Sequence, residues 1–385
     1  MTDIQENAKT IRKPKILLVA NVGKEHVLKF HVPTIKALTS DGWHVDVACA
    51  GEEDVPYCNT QFKMSWKRSP FNFALLKGIK ELKKIVNDGN YDIVYCHTPV
   101  GALTARLASK RARKKGTKVV YMAHGLHFFK GASPVYWLTF YPIEKLLSRH
   151  TDGMILVNQE DYSLVKKKFH KKLKVHLVNE IGANLQKFVI SDRETIRKQY
   201  RAELNIEEDA TVLVYLAELI PNKNQTMLMR ILKSLRDKKH NVYLILAGVD
   251  HSEGAFMKYA EKIEVSDHVR YLGWRSDIQN LCAMSDICTA SSIREGFGIN
   301  IVEAMASGLP VVASDNRGHR TIIHDGENGF LVPLNDEAMF EARILEIASD
   351  KALSARLVEN SQKDIDKYGV DAALKNIKEI LEEYL

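Results

Sequence analysis

The sequence predicts two α/β domains in tandem, each a parallel sheet wound on both faces by helices. Three observations predict this. A chain of 385 residues exceeds the usual size of one domain. Strand-length apolar runs alternate with helical segments, and the alternation restarts after the chain turns over between residues 180 and 190. Hydrophobic content of 45% and charged content of 27% fit a globular protein. No apolar run approaches the roughly 18 residues of a spanning helix, and the polar residues 1–15 do not resemble a signal peptide. Cys49, Cys58, Cys96, Cys282 and Cys288 form no Cys-x-x-Cys pair, and several sit in apolar runs. A cytosolic location with reduced thiols is therefore expected.

Residues 15–20, Lys-Ile-Leu-Leu-Val-Ala, read as a buried strand. A turn holding Gly23, a helix through residues 30–38 and a strand over 42–48 complete one βαβ unit. Gly-x-Gly-x-x-Gly is absent, so the turn is not the dinucleotide fingerprint. Residues 66–87 place Phe73, Leu76, Ile79, Leu82 and Val86 on one helical stripe with lysines elsewhere. That pattern suits a helix packed on a sheet, and a basic helix on a membrane shares it. Strand 91–96 ends at His97, helix 101–113 follows, and strand 118–123 ends at His124. Ligands of open α/β sheets bind at carboxyl strand ends, which makes His124, with His127 behind it, a candidate site residue. In residues 130–150, Trp137, Phe140, Tyr141 and Ile143 stand beside Lys145 and Arg149. An aromatic edge over basic residues suits a lipid-facing entrance and a domain rim equally well. Strands over 152–157 and 174–178 finish the first domain, residues 1–182.

The second domain, residues 190–365, contributes strands over 212–216, 242–248, 269–273, 287–290 and 311–314. Between the last two lies the most informative stretch, residues 291–310. A glycine-bearing loop leads into a helix over 299–308, closed by Gly308 and Pro310. The amides of Gly298, Ile299 and Asn300 lack intrahelical partners and make an anion site. Seven residues separate Glu295, in the loop, from Glu303, on the helix. A nucleotide sugar suits this turn, its diphosphate on the amides, its ribose diol donating to Glu303 and its sugar hydroxyls bonding Glu295.

Glu295-Gly296-Phe297-Gly298, the second Glu, and Gly308-Leu309-Pro310-Val311-Val312-Ala313-Ser314 together resemble the Glu-x7-Glu signature of family-4 retaining glycosyltransferases. The similarity continues through Asn316-Arg317-Gly318 and residues 325–332, with weaker matches over nearly the whole chain. It implies the GT-B architecture, two Rossmann-like parallel-sheet domains facing across a cleft, and a last helix over 371–385 that crosses back to the first domain. It also implies that the loop at Gly23 approaches the donor's phosphates and sugar, and that His124 lies beside the transferred sugar, with His127 and His97 on the acceptor side. Lys223 matches a lysine that meets the diphosphate as a point charge. Glu218 stands where the family usually has an arginine, so Arg275 or Arg294 is a candidate substitute.

The expected reaction is retaining transfer of a hexose or N-acetylhexosamine from a nucleoside diphosphate sugar, with UDP the family's commonest nucleotide. The acceptor implied is a lipid-linked saccharide of bacterial exopolysaccharide, capsule or glycan assembly. Helix amides and Lys223 take the leaving diphosphate's charge in place of a metal ion, so no cofactor and no metal are expected. Residues 1–182 hold 30 Lys and Arg against 16 Asp and Glu, whereas residues 183–385 hold 25 against 32. The basic first half fits peripheral contact with the anionic inner face of a membrane. It carries no aromatic stacking platform, which argues against nucleic acid. Alternatives are a nucleotide-sugar epimerase of the same fold and a nucleotide-sugar-binding protein without catalysis.

Overall fold

The computed structural model describes residues 12–66 and 73–385. Most of the polar start, and residues 67–72 of the expected 66–87 helix, lie outside them. Two compact units form. One takes residues up to 156, 161–181 and 374–385; the other takes 157–160 and 182–373.

Unit 1 is built on seven strands: β1 (Lys15–Val22), β2 (His44–Ala50), β3 (Thr60–Lys63), β4 (Ile93–His97), β5 (Lys118–Ala123), β6 (Gly153–Leu156) and β7 (Lys174–Leu177). They pair in the order β3-β2-β1-β4-β5-β6-β7, every pair parallel. The central strands are buried almost throughout, as continuous apolar runs must be when helices cover both faces of a sheet. Strand β3 is short and half exposed, and its Thr-Gln-Phe-Lys sequence lacks the apolar run that identifies the other strands. After β1 the chain does not turn loosely into a helix at residue 30. It enters a π-helix, Gly23–His31, which passes directly into the α-helix Val32–Ser40.

Helix Phe73–Gly89 packs on the sheet through Leu82 and Val86. Gly78 lies so close to Trp66 that an added Cβ would come within 2.8 Å of its ring. Leu76, expected on the buried stripe, is exposed, because six residues from Leu82 it lies about 120° away around the helix. Helix Pro134–Leu147 likewise departs from expectation. Trp137 and Tyr141 turn inward against Phe128, and the exposed large apolar side chains are Val135, Tyr136, Leu138, Ile143 and Leu146, of which only Ile143 belongs to the edge read from the sequence. The last helix, Val370–Glu382, leads to Tyr384, whose hydroxyl meets His176 at 2.8 Å, while Lys378 reaches Asp41 at 2.6 Å.

Unit 2 is built on six strands: β8 (Thr211–Leu216), β9 (Val242–Ala247), β10 (Val269–Tyr271), β11 (Ile287–Ala290), β12 (Val311–Ser314) and β13 (Phe330–Val332). Their order, β10-β9-β8-β11-β12-β13, is again all parallel. Both sheets thus reverse their direction of growth once, between β1 and β4 and between β8 and β11. Crevices form at such points beyond the carboxyl strand ends, because the flanking connections leave on opposite faces.

Candidate active site

In unit 2 three loops meet at that point: residues 217–224 after β8, 291–298 after β11 and 315–318 after β12. The first two are fastened by short hydrogen bonds. Asn222 Nδ2 donates to the Arg294 carbonyl at 2.9 Å, the Ile293 amide to the Asn222 carbonyl at 2.8 Å, and Ser291 Oγ to the Lys223 carbonyl at 2.8 Å. The third loop is held by Asn316 Nδ2, which donates to the Ser292 carbonyl at 3.0 Å. Gly318 completes the contact. A Cβ there would lie 2.6 Å from the Phe297 carbonyl oxygen and 2.8 Å from the Glu295 Cβ, so any side chain would displace the Glu295 loop.

Glu295 is the centre of this assembly. Its Oε1 accepts from Lys223 Nζ at 2.5 Å and from Ser292 Oγ at 2.6 Å, and Ser292 Oγ also meets the buried Tyr215 hydroxyl at 2.5 Å. Burial favours the neutral acid, yet the Lys223 charge and these hydrogen bonds outweigh it and hold the Glu295 pKa below its ordinary value. The loop therefore presents a fixed carboxylate beside a fixed ammonium. Gly298, at φ 120°, caps the helix Ile299–Ala306, whose first amides open onto the same loop. Gly308, at φ 73°, takes the left-handed conformation that ends the helix short of residue 308.

Glu303 faces a different environment. It is half-buried on this helix, and burial raises its pKa to about 7, against a weaker opposing pull from Lys187. Arg275 is engaged by Asp277, donating through Nε at 2.7 Å and through Nη2 at 2.5 Å. Glu218 is about half exposed and stands 3.5 Å from His251.

Unit 1 gathers a second group. His97 ends β4, His124 follows β5, and His26 and His31 lie on the π-helix after β1. Because β1, β4 and β5 are adjacent, their carboxyl ends bring all four rings together. The Nε2 atoms of His26 and His31 are 3.1 Å apart, and the His31 and His97 ring centroids 3.9 Å. His124 Nδ1 is paired with the Glu180 carboxylate, and although burial opposes its charge, Glu180 raises its pKa. Burial, with the neighbouring rings, lowers the pKa of His26 to about 3 and those of His31 and His97 well below the ordinary value. Neither nitrogen of His97 has a hydrogen-bond partner among the described residues.

His97, expected on the acceptor side, has no exposed surface. His127 is half-buried and stacks on Phe140 at 4.5 Å. Gly23 is buried at the start of the π-helix, where a Cβ would make only ordinary contacts at 3.4 Å, so turn sterics do not demand glycine there. Sequence reasoning missed His26, His31, Glu180 and Ser292. The first two are five apart, a spacing that an α-helix turns about 140° apart but an i→i+5 turn brings onto one face.

Apart from Glu180 and Lys187, the residues of both groups lie within sequence that matches known families. Residues 196–364 match the family model "Glycosyl transferases group 1", and residues 15–158 match "Glycosyl transferase 4-like". EpsD of Bacillus subtilis, which carries the name of a glycosyltransferase, is 40% identical over 372 residues, covering 96% of this chain and 97% of that protein. The chain belongs to the group 1, family-4 glycosyltransferases. This glycosyltransferase is also 24% identical, over 80% of each chain, to the Escherichia coli UDP-Gal:alpha-D-GlcNAc-diphosphoundecaprenol alpha-1,3-galactosyltransferase. In three dimensions it resembles HepE of Anabaena, solved with UDP and glucose, at a TM-score of 0.79 and 21% identity, over 96% of this chain and 100% of that one. The fold is accordingly GT-B, and the enzyme falls in a retaining family. Among its described residues no helix is long and apolar enough to cross a membrane.

Proposed function

We propose that this glycosyltransferase moves a hexose or N-acetylhexosamine from a UDP-sugar to a saccharide carried on a polyprenyl diphosphate, during assembly of a bacterial cell-surface polysaccharide. The observation that carries the reading is the Lys223–Glu295 pair, fixed at 2.5 Å at the switch point of unit 2, beside the opening of helix Ile299–Ala306. Support for the substrates comes from the E. coli relative, named for UDP-Gal and a diphosphoundecaprenol acceptor, and from HepE, solved with UDP.

In this reading the helix amides and Lys223 hold the diphosphate, and their preorganised charge stabilises it as it leaves. Glu295 orients the sugar hydroxyls and Glu303 accepts hydrogen bonds from the ribose diol. His124 is assigned to the transferred sugar by its match to the family's histidine. The two carboxylates do not flank one glycosidic bond, as a hydrolase requires. The departing phosphate oxygen takes the proton of the acceptor hydroxyl, and the product keeps the anomeric configuration of the donor.

Glu303 sets a pH dependence. With its pKa raised to about 7, it is neutral below that pH and a full acceptor above it. Donor KM is therefore expected to rise as pH falls from 8 to 6, by about tenfold per unit below 7. Glu303→Gln is expected to flatten that slope and leave KM uniformly high. Initial rates across this range check it, and an unchanged slope in the variant contradicts the assignment.

The lipid-linked acceptor calls for a membrane-facing surface, and helix Pro134–Leu147 offers one. Leu138 is 77% exposed, with Val135 one turn before it, Leu146 two turns after it and Lys145 at the edge. A Leu138→Asp/Leu146→Asp variant is expected to lose at least about tenfold in binding to phosphatidylglycerol vesicles, read by co-sedimentation.

The deciding experiment for the function is a panel of nucleotide sugars incubated with membrane lipid extract and read by product mass. A lipid product one sugar heavier supports transfer. Sugar that stays nucleotide-bound in altered form overturns it in favour of epimerisation, and no conversion of any donor overturns catalysis.

A further inference from the structure

We infer that His26, His31, His97 and His124 form a binding site for one divalent transition-metal ion of the zinc class. The four available ligand atoms all lie within 4.8 Å of one another. A tetrahedral zinc ion with bonds of about 2.0–2.1 Å needs nitrogens about 3.3 Å apart, and His26 and His31 are already at 3.1 Å. Ring rotations that draw the other two inward complete the sphere.

Three features distinguish this group from packed aromatic rings. Among the described residues, His97 has no exposed surface and both its nitrogens lack hydrogen-bond partners, as does His124 Nε2. An unsatisfied buried polar atom is costly, and several converging on one point are satisfied together by a single cation. Because His97 is wholly enclosed, nothing much larger than an ion reaches it, whereas His26 and His124 are partly exposed and supply an entry path. The second feature is Glu180. It pairs with His124 Nδ1, leaving Nε2 turned to the cluster, the carboxylate–histidine arrangement that orients metal-bound imidazoles. The third is the π-helix, an uncommon conformation often found at functional sites, which places His26 and His31 on one face. Imidazole nitrogens without a carboxylate among them select zinc, nickel, cobalt or copper over magnesium or calcium.

This site does not depend on the sugar-transfer reading, because binding is measured with no donor present. Full-length, tag-free protein is stripped with chelator and titrated with Co²⁺, then with Zn²⁺ in competition. Uptake of about one ion per chain is expected, with the visible bands of tetrahedral, nitrogen-bound cobalt and their loss as zinc displaces it. His26→Gln, on the more exposed ring, and His97→Gln are each expected to abolish stoichiometric uptake. Glu180→Gln weakens it about 10–100-fold, and His240→Gln, on an exposed residue of unit 2, leaves it unchanged. Should a variant misfold by circular dichroism, a zinc-dependent rise in the melting temperature of the wild-type chain remains the readout. No saturable uptake by the folded wild-type protein overturns the inference, as does uptake that survives in folded His26→Gln.

Discussion

Glu295→Ala is expected to lower kcat by about 10²–10³-fold while the affinity for UDP stays within a few-fold of wild type. The carboxylate is held by Lys223 at 2.5 Å and Ser292 at 2.6 Å, and the Tyr215 hydroxyl fixes Ser292 in turn. A group locked this firmly, with its pKa below the ordinary carboxylate value, contributes preorganised charge at neutral pH. Removing it leaves the sugar without its anchor near the reacting carbon. The nucleotide keeps the helix amides, Lys223 and Glu303, and Lys223 loses the counter-charge with which a diphosphate would compete. Steady-state rates and UDP titration by calorimetry separate the two effects. A variant within tenfold of wild-type kcat contradicts the role assigned to Glu295. Equal loss of UDP binding assigns the residue to holding the nucleotide.

The second large effect falls on stability. Arg106→Met is expected to destabilise unit 1 by about 3–5 kcal/mol. Arg106 is almost wholly buried and donates to Glu144 at 2.6 and 3.0 Å, with its guanidinium 4.6 Å from the centre of the Tyr121 ring. Truncating the arginine strands a buried carboxylate, and the cost is its desolvation. Changing both partners together, Arg106→Met with Glu144→Leu, removes the uncompensated charge and is expected to recover most of the loss. Urea unfolding of the single and double variants gives the comparison. A double variant no more stable than the single one contradicts this account of the pair.

The fold was legible because the chain repeats one device. Buried strands such as Ile16–Val19 and Val212–Tyr215 are continuous apolar runs, and helical segments separate them, which leaves little besides a parallel sheet. Strand β3 escaped because its four residues are half exposed and carry no such run. The unit 2 site was legible where chemistry is local in sequence: Glu295, Gly298 and Glu303 fall within nine residues, and the structure brings Lys223 to Glu295 across 72. Ser292 was not, since a serine in a loop signals nothing until its contacts are seen, and Gly318 was marked by the resemblance alone, its close packing on the Glu295 loop being visible only in the structure. The histidine group lay furthest from view. Its members come from three separate strand ends, and only the order β1-β4-β5 together with a π-helix unites them. The aromatic edge at residues 130–150 shows the same limit from the other side. Composition marked the segment, but the helix's rotation put Trp137 and Tyr141 inside and Leu138 outside.

The central claim is that loops 217–224 and 291–298 and the helix Ile299–Ala306 hold a nucleoside diphosphate sugar. A crystal structure of the full chain with a UDP-sugar tests it most directly. The claim predicts the diphosphate within hydrogen-bonding distance of the Gly298–Asn300 amides and Lys223 Nζ, the ribose diol on Glu303, and the sugar on Glu295. A ligand bound elsewhere, or Glu295 and Glu303 left without contact to it, would contradict the claim.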